Sequence, residues 1–180
     1  MEKKYVCACG LTCCDCLFYR PDFFEAARKM KEIINEFRID IFFKLLNRRE
    51  TNERIAEHLN QDKEVFLKKF ASFEKMEQFV EVLNAIVEIQ CKQTCFENKG
   101  CSIGGIKHRC KTIECVNEKG LNGCWECGEN ERCEKLSFQK MSYGKSVIEN
   151  LEILRTKGLG CIKSRGNQYY EFQRKIIKND

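Results

Sequence analysis

Residues 91–136 read CKQTCFENKGCSIGGIKHRCKTIECVNEKGLNGCWECGENERCEKL, and this stretch decides how the chain must fold. It carries eight cysteines and six glycines, with little helical or strand periodicity. A loop-rich segment of this kind cannot bury enough apolar surface to offset its chain entropy, so it needs cross-links. The thiols of Cys91, Cys95, Cys101, Cys110, Cys115, Cys124, Cys127 and Cys133 supply the means. Five further cysteines crowd into residues 7–16, none follows until Cys91, and Cys161 stands alone near the end.

The nature of the cross-link depends on the compartment. Met1-Glu-Lys-Lys-Tyr-Val-Cys7 leads into no apolar signal region, so a cytoplasmic protein is expected. The longest uncharged run, Tyr5 to Cys14, falls far short of the roughly 20 apolar residues a membrane helix needs, so no membrane association is expected. In a reducing cytosol, clustered cysteines act as thiolate ligands rather than disulfides. The formal net charge of +5 concentrates in residues 137–180, but each Zn²⁺ held by four thiolates contributes −2. Two such sites bring the chain to +1 and three to −1, so its basic balance says little about partners.

Working outward, residues 21–90 are helical in character. Asp22-Phe-Phe-Glu25 reads as a capping box just after Pro21, the only proline. Phe23, Ala27, Met30, Ile34, Phe37, Ile41 and Leu45 then recur at helical spacing, predicting one helix to about Leu46. A second stripe runs through Phe66, Phe70, Phe73, Met76, Val80, Leu83 and Val87, with a weak break at Ser72. A short helix over 53–59 fits between them. Nine of the thirteen phenylalanines fall here and predict a packed core. After the cysteine-rich stretch, Ser146-Val-Ile-Glu149 reads as a capping box opening a helix to Lys157, with Val147, Leu151 and Leu154 inward and Gly158 as its stop. Tyr169, Phe172 and Ile176 predict a final short helix. The expected fold is mostly α: a helical core with a loop-rich, metal-pinned region. One domain over 1–180 is expected, comprising an N-terminal knuckle (1–20), a helical segment (21–90), the metal-binding segment (91–136) and a C-terminal helical segment (137–180).

The ligand spacing supports this. Cys9-Gly-Leu-Thr-Cys13-Cys14-Asp-Cys16 contains a three-residue and a two-residue gap, and Cys124-Trp-Glu-Cys127 repeats the latter, which lets two sulfurs reach one ion. All-sulfur sites suit Zn²⁺ or an iron–sulfur cluster, and the irregular gaps favour structural zinc. The metal ligands expected are Cys9, Cys13, Cys16, Cys91, Cys95, Cys101, Cys110, Cys115, Cys124, Cys127 and Cys133. These eleven are one short of three four-ligand sites; Cys7, Cys14, Cys161 or His108 is left to complete one. The C-x3-C-x2-C spacing is also that of radical S-adenosylmethionine enzymes. Asp15 stands where those have an aromatic residue, and 180 mostly helical residues cannot form their barrel.

Cys9-Gly-Leu-Thr-Cys13-Cys14-Asp-Cys16, Cys110-Lys-Thr-Ile-Glu-Cys115, and Cys124-Trp-Glu-Cys127 ahead of Cys133-Glu-Lys-Leu136, in that order, resemble the cysteine-rich prokaryotic domain-of-unknown-function family 3795. The helix around Asn150–Gly158 is similar to its closing helix. The chain departs from the family pattern in the gaps Cys95–Cys101 and Cys110–Cys115 and in lacking a proline before Cys133. The resemblance implies a metal-binding domain, with zinc as the metal, and adds no substrate.

Three functional classes follow. The first is a zinc-pinned binding or scaffold module for a protein partner. The second is an iron–sulfur, thiol-redox or metal-transfer protein; with two histidines against fourteen cysteines, hydrolytic zinc chemistry is not indicated. The third is nucleic-acid binding. Residues 54–59 and 62–70 resemble a helix-turn-helix pair, and the cationic 137–180 segment (Lys140, Lys145, Arg155, Lys157, Lys163, Arg165, Arg174, Lys175, Lys178) carries interleaved aromatics.

Overall fold

The computed structural model describes residues 1–176, and these are mostly α-helical. Among them the only β pairing is an isolated antiparallel bridge between Val6 and Thr12. The chain forms two compact units, Pro21–Glu88 and Met1–Arg20 together with the chain from Ile89. The N-terminal knuckle and the cysteine-rich stretch therefore belong to one unit, although 74 cysteine-free residues separate Cys16 from Cys91.

The first unit contains α1 (Pro21–Phe37), α2 (Ile39–Leu46), α3 (Arg49–His58), α4 (Lys63–Phe70) and α5 (Met76–Glu88). α1 begins on Pro21 itself, whose fixed φ and missing N–H suit the first turn. The long helix expected to Leu46 is two helices, because Arg38 adopts a left-handed conformation at φ 50°. The second stripe is likewise broken by the 3-10 turn Ala71–Lys75, where Ser72 had marked a weak break. Asp62 caps α4 by accepting from the Val65 amide at 2.9 Å.

These interruptions keep the two stripes from facing each other over their full length. Ala27, Ile34 and Leu83 form the buried cluster, flanked by Ile39, Met76, Val80, Ile86 and Val87. Of the nine phenylalanines, Phe24 and Phe66 are buried, while Phe23, Phe37, Phe42 and Phe79 are exposed. Phe43 stacks on Phe73 at 3.8 Å between centroids, and Phe70 lies against both Phe66 and Phe73. The nine-phenylalanine core is thus replaced by a small aliphatic cluster and an aromatic column.

The second unit contains α6 (Lys111–Glu118), α7 (Ser137–Tyr143), α8 (Lys145–Lys157) and α9 (Glu171–Ile176), joined by loops and single 3-10 turns. α6 is unheralded by periodicity because only Thr112 and Val116, four residues apart, face inward. α8 carries Val147, Leu151 and Leu154 inward and ends at Gly158, as expected. Its capping box does not form. The helix opens one residue earlier after Gly144, and Ser146 Oγ donates instead to the Tyr169 carbonyl at 2.9 Å. Tyr169 precedes α9 and is fully buried.

The core of this unit mixes sulfur with hydrocarbon. Cys7, Cys9, Cys13 and Cys124 lie in one buried cluster with Val116, Leu136, Val147, Leu151 and a triangle of Tyr143, Tyr169 and Tyr170, whose centroids are 4.8–5.1 Å apart. Gly10 turns the N-terminal knuckle at φ 82°, and a Cβ there would lie 2.9 Å from Leu151 Cδ2, so both the turn and the packing require glycine. Leu151 is 2% exposed and Met141 in the same unit is 74% exposed. Leu151→Ala is expected to cost about 2–5 kcal/mol and Met141→Ala under about 0.5 kcal/mol. Urea unfolding of the two variants checks this, and equal midpoints would sink the assignment of Leu151 to the core.

Candidate metal centre

The knuckle is built by local hydrogen bonds. Cys7 N–H donates to Leu11 O at 2.8 Å, and Gly10 N–H to Cys7 O at 2.9 Å, closing a loop that carries Cys7 and Cys9. Cys13–Asp15 forms a 3-10 turn, with Cys16 N–H donating to Cys13 O at 3.0 Å. The 91–110 segment is tied to it. Cys91 N–H donates to Phe18 O at 2.7 Å, and Cys95 N–H donates directly to Cys13 Sγ at 3.3 Å.

Three sulfurs converge. Those of Cys7, Cys13 and Cys95 all lie within 4.8 Å of one another, and among the described residues they are the only such group. Cys7 Sγ and Cys13 Sγ are 3.6 Å apart. A tetrahedral Zn–S bond of about 2.3 Å separates two ligand sulfurs by about 3.8 Å. All fourteen cysteines are free thiols, and Cys7 and Cys13 are buried. The donor set therefore fits a soft cation, and this cluster can hold a metal ion.

Further thiols extend the group. A cavity of about 190 Å³ is lined by Cys7, Cys9, Cys13, Cys16, Cys91, Cys95, Cys101 and Cys110, with Tyr143 and Tyr169. Cys7 Sγ and Cys13 Sγ lie within hydrogen-bond reach of each other, and the thiols of Cys9, Cys95, Cys101 and Cys91 extend the group as neighbours that shift one another's ionisation. Cys13 is pulled below the ordinary thiol range by the hydrogen bonds it accepts from Cys7 and Cys95, and Cys101 by those from Cys91 and Cys95. Their donors Cys7, Cys91 and Cys95 are pushed up correspondingly. Neighbouring buried thiols cannot all ionise together without a cation. The main-chain amides of Leu11, Phe18 and Ile103, each two residues beyond its cysteine, favour the ionised forms of Cys9, Cys16 and Cys101.

Four expected ligands lie elsewhere in this unit. Cys115, Cys124, Cys127 and Cys133 line a second, larger pocket of about 650 Å³. Cys124 is pushed up to about 12 by burial, and by the neighbouring charges of Cys9, Cys133, Cys115 and Cys127. Cys7, which spacing left over, joins the tightest group; its position two residues before Cys9, just ahead of the Gly10 turn, was the available signal. Cys14 points away, with its sulfur 3.7 Å from Met1 Sδ, and burial pushes its thiol up to about 11. Cys161 is exposed. The His108 ring meets the Ile103 carbonyl through Nε2 at 3.0 Å, which fits an exposed loop histidine.

The knuckle hangs on one buried carboxylate that spacing did not reveal. Asp15 is 4% exposed; its Oδ2 accepts from Thr12 Oγ1 at 2.6 Å. Its Oδ1 accepts from Ser164 Oγ and from the Arg165 and Gly166 amides, both at 3.1 Å. Tyr169 OH accepts from Thr12 N–H at 2.8 Å, Tyr170 OH accepts from Leu17 N–H at 2.9 Å and donates to Cys16 Sγ at 3.6 Å, and Asn150 Nδ2 donates to Gly10 O at 2.8 Å.

Several cations considered for phosphate binding are already engaged. Arg165 is held by Asn150 and Glu149, Arg174 by Ser146 and the Gln168 carbonyl, and Lys140 by the Asn130 carbonyl. On α3 and α4, Arg49, Arg54 and Lys63 pair with Glu53, Glu50 and Glu57. Lys178 lies outside the described residues.

A helical fold that draws its cysteines into a core from both ends of the chain defines a cysteine-rich helical protein able to hold metal. The chain belongs to the family described as "Protein of unknown function (DUF3795)", whose model matches residues 5–138. That match includes every expected metal ligand and ends before α8. No curated protein and no solved structure matches the chain. No helix among the described residues is long and apolar enough to cross a membrane.

Replacing Asp15 by alanine leaves the Arg165 amide without its acceptor and the Gly166 amide with Ser164 Oγ alone, at about 1–3 kcal/mol for a buried donor left unpaired. Asp15→Ala is expected to lower the denaturation midpoint clearly, and Asp15→Asn, which retains an acceptor oxygen, to lower it less. Chemical denaturation followed by circular dichroism reads both; an unchanged midpoint for Asp15→Ala would show the carboxylate to be dispensable.

Proposed function

We propose that this protein is a cytoplasmic zinc-binding module in which a structural ion pins the cysteine-rich segment to the N-terminal knuckle, leaving its surface free to bind a protein partner. The observation that carries this reading is the convergence of Cys7, Cys13 and Cys95. Cys101, hydrogen-bonded to Cys95, is the natural fourth ligand. Cys9, Cys16, Cys91 and Cys110 line the same cavity and offer ligands for a further ion. A closed four-thiolate site keeps no open position for substrate, which favours a structural over a catalytic role. Fourteen free thiols suit a reducing compartment.

A second reading has a specific observation in its favour. Eight cysteines line one cavity, twice what a single tetrahedral zinc takes, and an iron–sulfur cluster would use such a sulfur-rich enclosure. That reading places the protein in redox or metal transfer. Nucleic-acid binding is less well supported, because Arg49, Arg54 and Lys63 on α3 and α4 are paired with carboxylates.

Native mass spectrometry of anaerobically purified protein decides between these readings. Bound zinc is expected, with the ion of this site lost in Cys13→Ser and Cys95→Ser and a large fall in melting temperature, because structural zinc contributes directly to folding. Iron with visible charge-transfer absorption would replace zinc with a cluster. Metal-free protein of unchanged stability would end both readings.

A further inference from the structure

We propose that Cys115, Cys124, Cys127 and Cys133 form a second metal centre, separate from the buried one and open to solvent, that takes a soft divalent cation such as Zn²⁺ and exchanges it readily.

The four cysteines come from three short elements around one pocket. Cys115 lies on α6. Cys124 and Cys127 flank a single 3-10 turn in which Cys127 N–H donates to Cys124 O at 3.1 Å, so the two-residue gap forms a compact knuckle. Cys133 sits where the 3-10 turns Asn130–Arg132 and Glu134–Leu136 meet, and Asn130 Nδ2 reaches back to the Cys124 carbonyl at 3.4 Å. Val116, Leu121 and Leu136 supply the apolar lining. This arrangement delivers four thiols and no other metal-binding side chain except the outward Glu129, a donor set that selects a thiophilic cation.

Two ammonium groups already sit on these sulfurs. Lys119 Nζ is 3.7 Å from Cys127 Sγ and 3.0 Å from Glu129 Oε2, and Lys135 is close enough to Cys115 for the thiolate to hold its ammonium charged. Four thiolates around a divalent ion carry net negative charge, and these lysines stand where they offset it. Three of these four cysteines, Cys115, Cys127 and Cys133, are half-buried and Cys124 is buried, whereas two of the three in the first centre, Cys7 and Cys13, are buried and Cys95 is half-buried. The four sulfurs stand further apart than the triad, so loading must draw the knuckle, α6 and Cys133 together. An ion bound by closing an open pocket is accessible to a competing chelator. The two centres adjoin: Cys124 shares a buried cluster with Cys7, Cys9 and Cys13, and its N–H donates to Ala8 O at 2.8 Å.

The test uses the full chain, purified without oxygen, loaded with Zn²⁺ and challenged with a chromogenic chelator. Release is expected in two phases, the faster one corresponding to about one ion for four thiolates. Cys127→Ser and Cys133→Ser should abolish the fast phase and leave the slow one; Cys13→Ser should remove slow-phase metal and spare the fast phase. Failure of the first proposal thus reads differently from failure of this one. A second measurement avoids dependence on variant folding: in the unaltered chain, Zn²⁺ should slow iodoacetamide alkylation of Cys127 at least tenfold. Single-phase release unaffected by Cys127→Ser and Cys133→Ser, unprotected Cys127, or disulfides among these four cysteines in anaerobic protein would each overturn the proposal.

Discussion

The structure depends on a constraint of charge. Buried thiols drawn from the two ends of the chain touch one another, and most of them are uncomfortable as anions. Without a cation, the group can ionise only in alternation: Cys13 and Cys101 accept, while Cys7, Cys91 and Cys95 donate. A divalent ion inverts that logic, since every ligating thiol then deprotonates and the repulsion among sulfurs becomes attraction to a shared centre. The loops of residues 91–110 make few apolar contacts of their own, so the free energy of that centre is what can hold them.

The protein prepares for this with a rigid frame on one side of the sulfurs. Asp15, Asn150, Tyr169 and Tyr170 fasten the knuckle to the C-terminal segment through main-chain groups of Gly10, Thr12, Leu17, Arg165 and Gly166. Each of these buried polar groups is paired, which makes the frame both stabilising and specific. The price is paid in sequence: the chain from Ser164 to Tyr170 must return to the first twenty residues, and glycine is required at position 10.

Much of this was legible in the residues themselves. Helical character, the inward face of α8 and its stop at Gly158 follow from periodicity and composition. Helix continuity was not legible, because Arg38 adopts φ 50° in a chain whose apolar spacing runs straight through it. The capping box at Ser146 failed for a tertiary reason: its hydroxyl is claimed by Tyr169 O and its Glu149 by Arg165. Grouping of the cysteines was the hardest inference. Spacing along the chain identifies knuckles, but it cannot show that Cys7 belongs with Cys95, 88 positions away, or that Cys115 faces a different pocket from Cys110.

That division of cysteines follows a difference in how negative charge is offset. Around the buried sulfurs the donors are neutral: the Cys95 amide on Cys13 and the hydroxyl of Tyr170 on Cys16. Around the open pocket they are cationic, Lys119 and Lys135. Neutral donors fixed in the backbone cannot swing away, so they favour a permanently seated ion and give solvent no path to compete. Lysine side chains are long, hydrated and mobile, and hold a thiolate ready for a cation without sealing it off. Under the two proposals, the same element, sulfur, supports a fixed centre where the surrounding dipoles are immobile and an exchanging one where the compensating charge is free to leave.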